Sequence, residues 1–401
     1  MVQGAAPRVA CSPLSPYVVV TIVTRGRSSV FGVRLVQRPT VAAVKGRWLI
    51  VLTTAAALVM TPIVLNARSV RSSEISVAAL AQRVQGSGGI GWSGFVQSSG
   101  TLDVPDSDSF ANLAQLLGES NNLRVWWRDA DNWRVDRIRS TGETDLFRQG
   151  GYSIRWVFES ETATISPVSK IRLPDASDLL PPTLGRSMLQ GAREGELTSL
   201  PPRRIAGIDA AGLRLVPAEA GTSVGQVDVW ADPRSGLPLQ VELYGMAEER
   251  PVLRTAVRDL TLGTPDVGTT RFARAAGIQV NYEESVDVAA AANAFAPGNL
   301  PVSLGGLPSR TGEDPSAVGI YGRGPTTLIA LPLRREVAGP LRQRLRDSAA
   351  AQETDVGTVS RVGPVGLMVT PYRRDGSRFL LAGTVTPEAL TRAATDLLAS
   401  V

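Results

Sequence analysis

The spacing of hydrophobic and polar positions divides the chain into distinct parts. Between about residues 91 and 262, short segments with a hydrophobic residue at every second position follow one another, separated by tight turns. This alternation is typical of strands that bury one face. It is clearest in "LRVWWRDADNWRVDRI" (123–138), where 129–132 is the predicted turn of a hairpin. The pattern predicts roughly ten antiparallel strands in a single sheet, and a sheet of that width must curl.

Helical spacing interrupts the strands at few places. "ISVAALAQRVQ" (75–85) has its apolar residues on one helix face, and "SFANLAQLLG" (109–118) predicts a short amphipathic helix that ends at a glycine. "DLLPPTLGRSMLQG" (178–191) predicts one or two short helices. Because these helices are inserted between runs of strands, we expect an α+β domain over residues 68–262, in which a strongly curved antiparallel half-barrel carries the inserted helices.

A second pattern begins after a break. Residues 263–316 lose the alternation and become rich in Gly and Pro, which predicts a linker. Residues 317–401 alternate again and end in a helix for which Thr386 is the expected N-cap, with Pro387 in the first turn. This predicts a small C-terminal α+β domain. "GRGPTT" (322–327) lacks the Gly-Lys-Ser/Thr ending of a phosphate loop and lies between two predicted strands, so we reject that function.

The N-terminal part has a different character. "WLIVLTTAAALVMTPIVLNA" (48–67) is uncharged and has about the length that crosses a bilayer as a helix. Residues 1–47 contain seven Arg or Lys and no acid, so we expect a flexible cytoplasmic tail and extracytoplasmic domains from about residue 68. We favour an uncleaved anchor; the alternative is a cleaved signal peptide, against which stands the large Leu65 in the small-x-small motif. Residues 1–40 could also arise from an over-extended start codon.

Composition excludes several kinds of chemistry. The net charge is +5, and because the tail supplies +7, the rest of the chain carries about −2, which removes the main support for nucleic-acid binding. His is absent and Cys11 is the single cysteine, which excludes disulfides, zinc sites built on those residues and nucleophile–His dyads. We expect no enzymatic activity, no cofactor and no metal. A serine hydrolase that uses Ser187 without His is the alternative, and no Lys lies near Ser187 in sequence.

The order of elements and one motif resemble a known family. The turn in "VWADPRSGLPLQVEL", Asp-Pro-x-Ser-Gly-Leu-Pro at 232–238, is the most characteristic piece. With "WSGFVQSSG", "GGYSIRWVF" and the C-terminal run, it is similar to the LolA-like fold, in particular to the RseB/MucB sigma-E regulatory proteins, over about residues 75–262 and 317–400. The resemblance implies a half-barrel that holds acyl chains or parts of lipoproteins. It also implies an anti-sigma factor as membrane partner. Those relatives are soluble periplasmic proteins, whereas this chain carries a predicted anchor.

The candidate binding site is a hydrophobic cavity on one face of the curved sheet. Counting alternate positions along the strands gives its predicted lining: Val125, Trp127, Trp133, Val135, Ile154, Trp156 and Phe158. An alkyl chain in such a cavity would gain about 0.8 kcal/mol for each buried methylene. The alternative is a filled core, in which the same aromatic side chains pack on the inserted helices.

Two further groups have structural and functional interpretations. Trp126, with Arg124 and Arg128, is expected on the opposite face, either in Trp–Arg stacking or in a patch that binds a partner. The acidic residues of this region could form a catalytic or calcium site, but we expect solvated charges in turns and at strand edges. They are Asp129, Asp131, Asp136 and Asp145.

The sequence therefore predicts a membrane-anchored extracytoplasmic protein that holds a lipid or lipoprotein acyl chain and modulates an anti-sigma factor or related membrane partner. The alternatives are a protein–protein scaffold with a filled barrel, and a lipid or lipoprotein carrier without a regulatory role.

Overall fold

The computed structural model describes Thr54 and residues 70–102, 111–169, 172–274, 277–283, 292, 300–310, 317–373 and 376–400. Apart from Thr54, the predicted basic tail and apolar span lie outside these residues. None of the helices in the described ranges is both long enough and apolar enough to cross a membrane. The contacts within the chain group residues 68–401 into one compact unit.

Most of the described residues belong to one large sheet. Its strands are β1 (Trp92–Gly100), β2 (Ser120–Asp129), β3 (Asn132–Arg139), β4 (Gly142–Gln149), β5 (Tyr152–Val157), β6 (Thr162–Pro167), β7 (Leu197–Ile205), β8 (Ile208–Leu215), β9 (Val224–Ala231), β10 (Pro238–Gly245), β11 (Leu253–Leu262) and β12 (Gln279–Tyr282). In the described residues the twelve strands follow the order β12-β6-β5-β4-β3-β2-β1-β11-β10-β9-β8-β7. Two meanders, β1–β6 and β7–β11, are therefore joined side by side through β1 and β11.

Except for one short helix in the predicted linker, the helices lie at the places that the sequence indicates. They are α1 (Val77–Gly86), α2 (Ala111–Gly118), α3 (Pro181–Leu189), α4 (Val267–Thr270), α5 (Arg335–Arg346) and α6 (Pro387–Ala399), with short 3-10 turns at Ser87–Gly89, Ala176–Leu179 and Glu194–Glu196. α1 begins where the Ser76 hydroxyl accepts a hydrogen bond from the Ala79 amide at 3.2 Å. α3 begins with two prolines in its first turn, where their missing N–H groups cost nothing.

One hydrophobic core connects the two meanders. α3 contacts β10 and β11, and α1 contacts α3, β7 and β8. The buried side chains of α1 and α3 belong to the same cluster as the buried side chains of β1–β3 and β8–β11. Both helices therefore pack on one face of the sheet, which we call the inner face; the opposite face is the outer face. The side chain of Thr255 in β11 donates to the Leu179 carbonyl at 2.7 Å and fixes the 3-10 turn before α3 against the inner face.

The motif at 232–238 forms a tight turn between β9 and β10. The Asp232 carboxylate accepts hydrogen bonds from the Arg234 amide at 3.1 Å and from the Ser235 hydroxyl at 2.6 Å. Gly236 has a φ of +78° and lies against the backbone of Arg83 in α1, where a Cβ atom would meet a carbonyl oxygen at 2.4 Å. Only glycine fits this position, which explains its place in the motif.

A second sheet follows. Its strands are β15 (Gly319–Arg323), β16 (Thr326–Pro332), β17 (Gln352–Thr354), β18 (Gly357–Val362), β19 (Val365–Val369) and β20 (Phe379–Gly383), after a small hairpin of β13 (Ser303–Leu304) and β14 (Leu307–Pro308). The six described strands follow the order β15-β16-β20-β19-β18-β17, and α6 packs on them in a separate hydrophobic core. As predicted, Thr386 caps α6 by accepting from the Ala389 amide at 3.3 Å, and "GRGPTT" joins two strands.

The α+β class and the large sheet confirm the coarse prediction of the fold. The prediction of an entirely antiparallel sheet is wrong at one edge, because β12 pairs with β6 in parallel. β12 arises from the predicted linker, whose few alternating residues do not indicate a strand. The helix predicted at 109–118 is described from Ala111, and the transmembrane helix predicted at 48–67 lies outside the described residues.

Candidate functional site

The register of β2 and β3 places four of the predicted site residues together on the inner face. Trp127 pairs with Trp133, and Val125 pairs with Val135. The two indole rings are stacked, with centroids 5.7 Å apart and planes 5° from parallel. These side chains are buried, with exposed fractions of 6% for Trp127, 3% for Trp133 and 0% for both valines. They form one continuous apolar surface in the same core as the buried side chains of the inner helices.

The other three predicted site residues do not join this surface. Ile154 pairs with Phe147, and Phe147 pairs with Arg134, which is adjacent in β3 to the inner-face Trp133. Neighbouring residues of a strand point to opposite faces, so Ile154 and Trp156 lie on the outer face. Phe158 follows the end of β5 and is 65% exposed. The prediction that all seven residues share one face is wrong for these three.

The physical reason is the register of the two hairpins that follow β3. Between Trp127 and Asp129 the register of β2 against β3 shifts by one residue, so odd-numbered residues of both strands point inward. The β3–β4 and β4–β5 hairpins have no such shift, so the inward positions change from odd in β3 to even in β4 and back to odd in β5. The even-numbered aromatic residues of β5 therefore point outward.

Arginine residues occupy the inner face where the aromatic residues were expected. Arg148 pairs with Trp133 across β3 and β4, and its guanidinium lies 5.6 Å from the centre of the indole ring. Arg155 pairs with Leu146, which lies beside Val135. The inner face thus changes from apolar side chains in β2 and β3 to cationic side chains in β4 and β5.

Arg137 completes this cationic part at the far end of β3. It is 5% exposed, and burial, followed by the charge of Arg139, lowers its pKa to about 10. Such a group is stabilised by any negative charge brought next to it. The sequence contains the signal for these arginines, since Arg137 and Arg139 have the same parity as Trp133 and Val135 in "NWRVDRIR".

Two of the predicted surface acids are buried on the outer face. Asp136 and Asp145 are directly opposite each other on β3 and β4, with exposed fractions of 0% and 6%. Arg134 bridges them, with its Nε 2.6 Å from Asp136 Oδ1 and its Nη2 2.8 Å from Asp145 Oδ2. The prediction of solvated charges is therefore wrong for this pair. By contrast, Asp129 caps its turn as predicted and accepts from the Asp131 amide at 2.9 Å.

Burial and mutual repulsion dominate the electrostatics of this pair. Burial, followed by the charge of Asp136, raises the pKa of Asp145 to about 7. One carboxylate oxygen from each of Asp136, Asp145 and Glu143 lies within 4.8 Å of the others. Such a cluster of oxygen atoms is also what a cation such as Ca²⁺ binds. Arg134 already supplies a positive charge at this position, so the arrangement serves as an internal ion-pair network.

The segment after β11 covers these charges. Phe272 makes an edge contact with Phe147, with ring centroids 5.4 Å apart, and lies 6.2 Å from Trp156. The Arg134 guanidinium lies 5.1 Å from the ring centres of both Trp126 and Phe147. The expected stacking of Trp126 on arginine is thus present, with Arg134 from the neighbouring strand as its partner.

No family model and no curated protein matched the chain. Solved structures did match. A structure of MucB in complex with MucA(peri) has a TM-score of 0.44 and 16% identity, over 80% of this chain and 97% of that chain. A Pseudomonas aeruginosa MucA/MucB complex has the same TM-score and identity, over 79% and 96% of the two chains. A LolA superfamily protein from Nitrosomonas europaea has a TM-score of 0.23 and 12% identity, over 49% and 98%. The matched structures thus include MucB and a LolA superfamily protein, the two groups that the sequence resembles.

Proposed function

We propose that this chain is a non-enzymatic, extracytoplasmic binding protein whose inner face takes an anionic amphiphile. The main support for this proposal is that the inner face changes from the stacked rings of Trp127 and Trp133 to the cationic side chains of Arg137 and Arg148. An acyl chain would lie against the indole rings, and its negatively charged head would lie against the guanidinium groups.

The energetics favour a charged amphiphile over a neutral one. Each methylene removed from water contributes about 0.8 kcal/mol. Burial lowers the pKa of Arg137 to about 10, so an anion beside this group lowers the cost of keeping it charged. Arg148 lies beside Trp133, and a guanidinium group forms strong charge-assisted hydrogen bonds with carboxylate or phosphate.

Entry of an acyl chain requires movement. Val125, Trp127, Trp133 and Val135 are at most 6% exposed. The ligand therefore has to displace the inner helices or the 3-10 turn at Ala176–Leu179 from the aromatic surface. Ligand binding would therefore change the position of these elements, and a membrane partner that contacts them would bind the two states with different affinity.

We further propose that the partner is a membrane protein of the anti-sigma class and that residues 48–67 anchor the chain. In one of the similar solved structures, MucB is in complex with MucA(peri). A second candidate is a scaffold that binds its partner without lipid, and the nearly complete burial of the four inner-face residues favours it.

Native mass spectrometry of the full chain in detergent tests the proposal. Palmitate and phosphatidylglycerol should bind, and phosphatidylcholine should bind more weakly. Arg148→Gln should weaken the binding of the anionic amphiphiles by about five-fold or more, as loss of a charge-assisted hydrogen bond predicts. The matched control Arg344→Gln changes an exposed arginine of α5 and should bind like the wild type. No bound amphiphile in any lipid class would contradict the proposal, and lipid-independent capture of the partner would then support the scaffold.

A further inference from the structure

The outer face carries an arginine-rich groove on the β7–β11 half of the sheet, away from the inner surface. Its volume is about 640 Å³, and β7, β10 and β11 contribute its walls. The charged residues that line it are Arg203, Arg204, Arg254, Arg258 and Glu242.

The single carboxylate of the groove is already fully engaged. Glu242 is 5% exposed, and it lies 3.0 Å from Arg203 and 3.3 Å from Arg254. It also accepts hydrogen bonds from Gln240 at 2.7 Å and from Tyr244 at 2.9 Å. Two arginines therefore share one negative charge.

Of the remaining two arginines, one adds to the positive excess. Arg258 donates to the uncharged amide oxygen of Gln97 at 3.0 Å, whereas Arg204 is paired with Asp209 at 2.7 Å. The guanidinium of Arg203 stacks on the indole ring of Trp230, 3.6 Å from its centre, which fixes its plane. The groove therefore has more guanidinium groups than carboxylates, and guanidinium groups match the oxygen atoms of phosphate groups.

One wall of the groove is close in sequence to the predicted anchor. Val70 lines the groove, and the Arg71 amide donates to Asp209 at 3.3 Å. The apolar segment 48–67, predicted from sequence to span a bilayer, ends three residues before Val70. Three residues extend at most about 10 Å, so a membrane anchor that ends at Ala67 would limit the distance between the bilayer and Val70 to about that length.

We propose that this outer groove binds the phosphate headgroups of anionic phospholipids in the membrane that anchors the chain. Binding at a second point, besides the anchor, holds the large sheet in one orientation on the membrane surface. The inference depends on the predicted anchor and is independent of ligand binding at the inner face.

Arginine footprinting of the full chain tests this directly. The chain is reconstituted in nanodiscs of phosphatidylcholine alone or of an equal mixture with phosphatidylglycerol, and phenylglyoxal modification of each arginine is followed by mass spectrometry. We expect Arg254 and Arg258 to react about five-fold more slowly in the mixed discs, which corresponds to about 1 kcal/mol for each basic residue near an anionic surface. Arg344 should react equally in both. Salt at about 0.5 M should abolish the protection.

Two variants and one competitor make the outcome decisive. In the wild type, Arg203 should also react more slowly in the mixed discs. The double variant Arg254→Gln/Arg258→Gln leaves the Arg203–Glu242 pair in place, and in this variant Arg203 should react equally in both discs. Arg148→Gln alters the inner face alone and should retain full protection. Equal reaction rates in both discs would overturn the proposal. Equal protection by inorganic phosphate in phosphatidylcholine discs would also overturn it, since the ligand would then be a free anion. Protection seen only after addition of an acidic protein would overturn it as well, since the ligand would then be a protein.

Discussion

Replacing Asp145 by asparagine tests the unusual electrostatics of the outer face. Asp145 lies opposite Asp136, and its pKa is raised to about 7. A carboxyl group in an unfolded chain ionises near about 3.9, so the folded state binds this proton more tightly than the unfolded state does. The free energy of unfolding should therefore fall as the pH rises from about 4 to 7. A salt-bridged carboxylate shows the opposite dependence.

The pKa shift sets the size of the effect. Each unit corresponds to about 1.4 kcal/mol, so ionisation of Asp145 lowers the stability by at most about 4 kcal/mol at alkaline pH. Asparagine keeps an acceptor for Arg134, now 2.8 Å from the carboxylate, but accepts a weaker hydrogen bond. We therefore expect Asp145→Asn to be more stable than the wild type by about 2 kcal/mol near pH 8 and equally stable near pH 5.

Urea unfolding followed by tryptophan fluorescence at the two pH values measures this difference. The control is Asp228→Asn on the same outer face, because Asp228 is 2% exposed but pairs with Arg214 through hydrogen bonds of 2.7 and 2.8 Å. That variant should lose about 1–3 kcal/mol at both pH values, since Arg214 loses charge-assisted hydrogen bonds to the buried carboxylate. If Asp145→Asn were less stable than the wild type near pH 8, or differed from it equally at both pH values, the like-charge argument would be refuted.

Three other substitutions test the core, a link between the two sheets and a helix cap. Trp127→Ala should cost about 3–5 kcal/mol in urea unfolding, whereas the exposed Phe158→Ala should change stability by less than about 0.5 kcal/mol; similar costs would contradict the register. Arg323→Gln should lower the free energy of unfolding by about 3 kcal/mol, because Arg323 lies 2.6 Å from the carboxylate of Glu196. NMR titration of this variant should show the pKa of Glu196 rising from about 2 towards its ordinary value, and an unchanged pKa would contradict the pairing. Thr386→Ala should cost about 1 kcal/mol in the same unfolding assay, and no loss would show that the cap contributes nothing.

Local patterns in the sequence predict the elements of this fold well. Alternation locates the strands of the large sheet, and the turns at 129–132 and 149–151 lie where Asp, Asn and Gly indicate them. These features depend on a few neighbouring residues, whose backbone preferences act locally. The short parallel strand β12 has no such signal, because its position depends on pairing with β6, more than a hundred residues earlier.

The composition of the inner face is less accessible from sequence. The registers of the β3–β4 and β4–β5 hairpins decide which residues of β5 point inward. They place Arg155 instead of Trp156 on the inner face, which counting alternate positions within each strand cannot detect. The burial of Asp136 and Asp145 was missed for a related reason, since the cover over them, Phe272, comes from a distant segment.

The junction between β1 and β11 has a consequence for biosynthesis. β1 is made early, yet one of its two neighbours in the finished sheet is made some 160 residues later. Until the ribosome has supplied Leu253–Leu262, the first meander presents a long row of unpaired amide and carbonyl groups, the kind of edge that recruits strands from other chains. Nascent or prematurely terminated chains should therefore depend on chaperones that shield this edge, and fragments that stop before Leu253 should aggregate although every residue of the first meander is present.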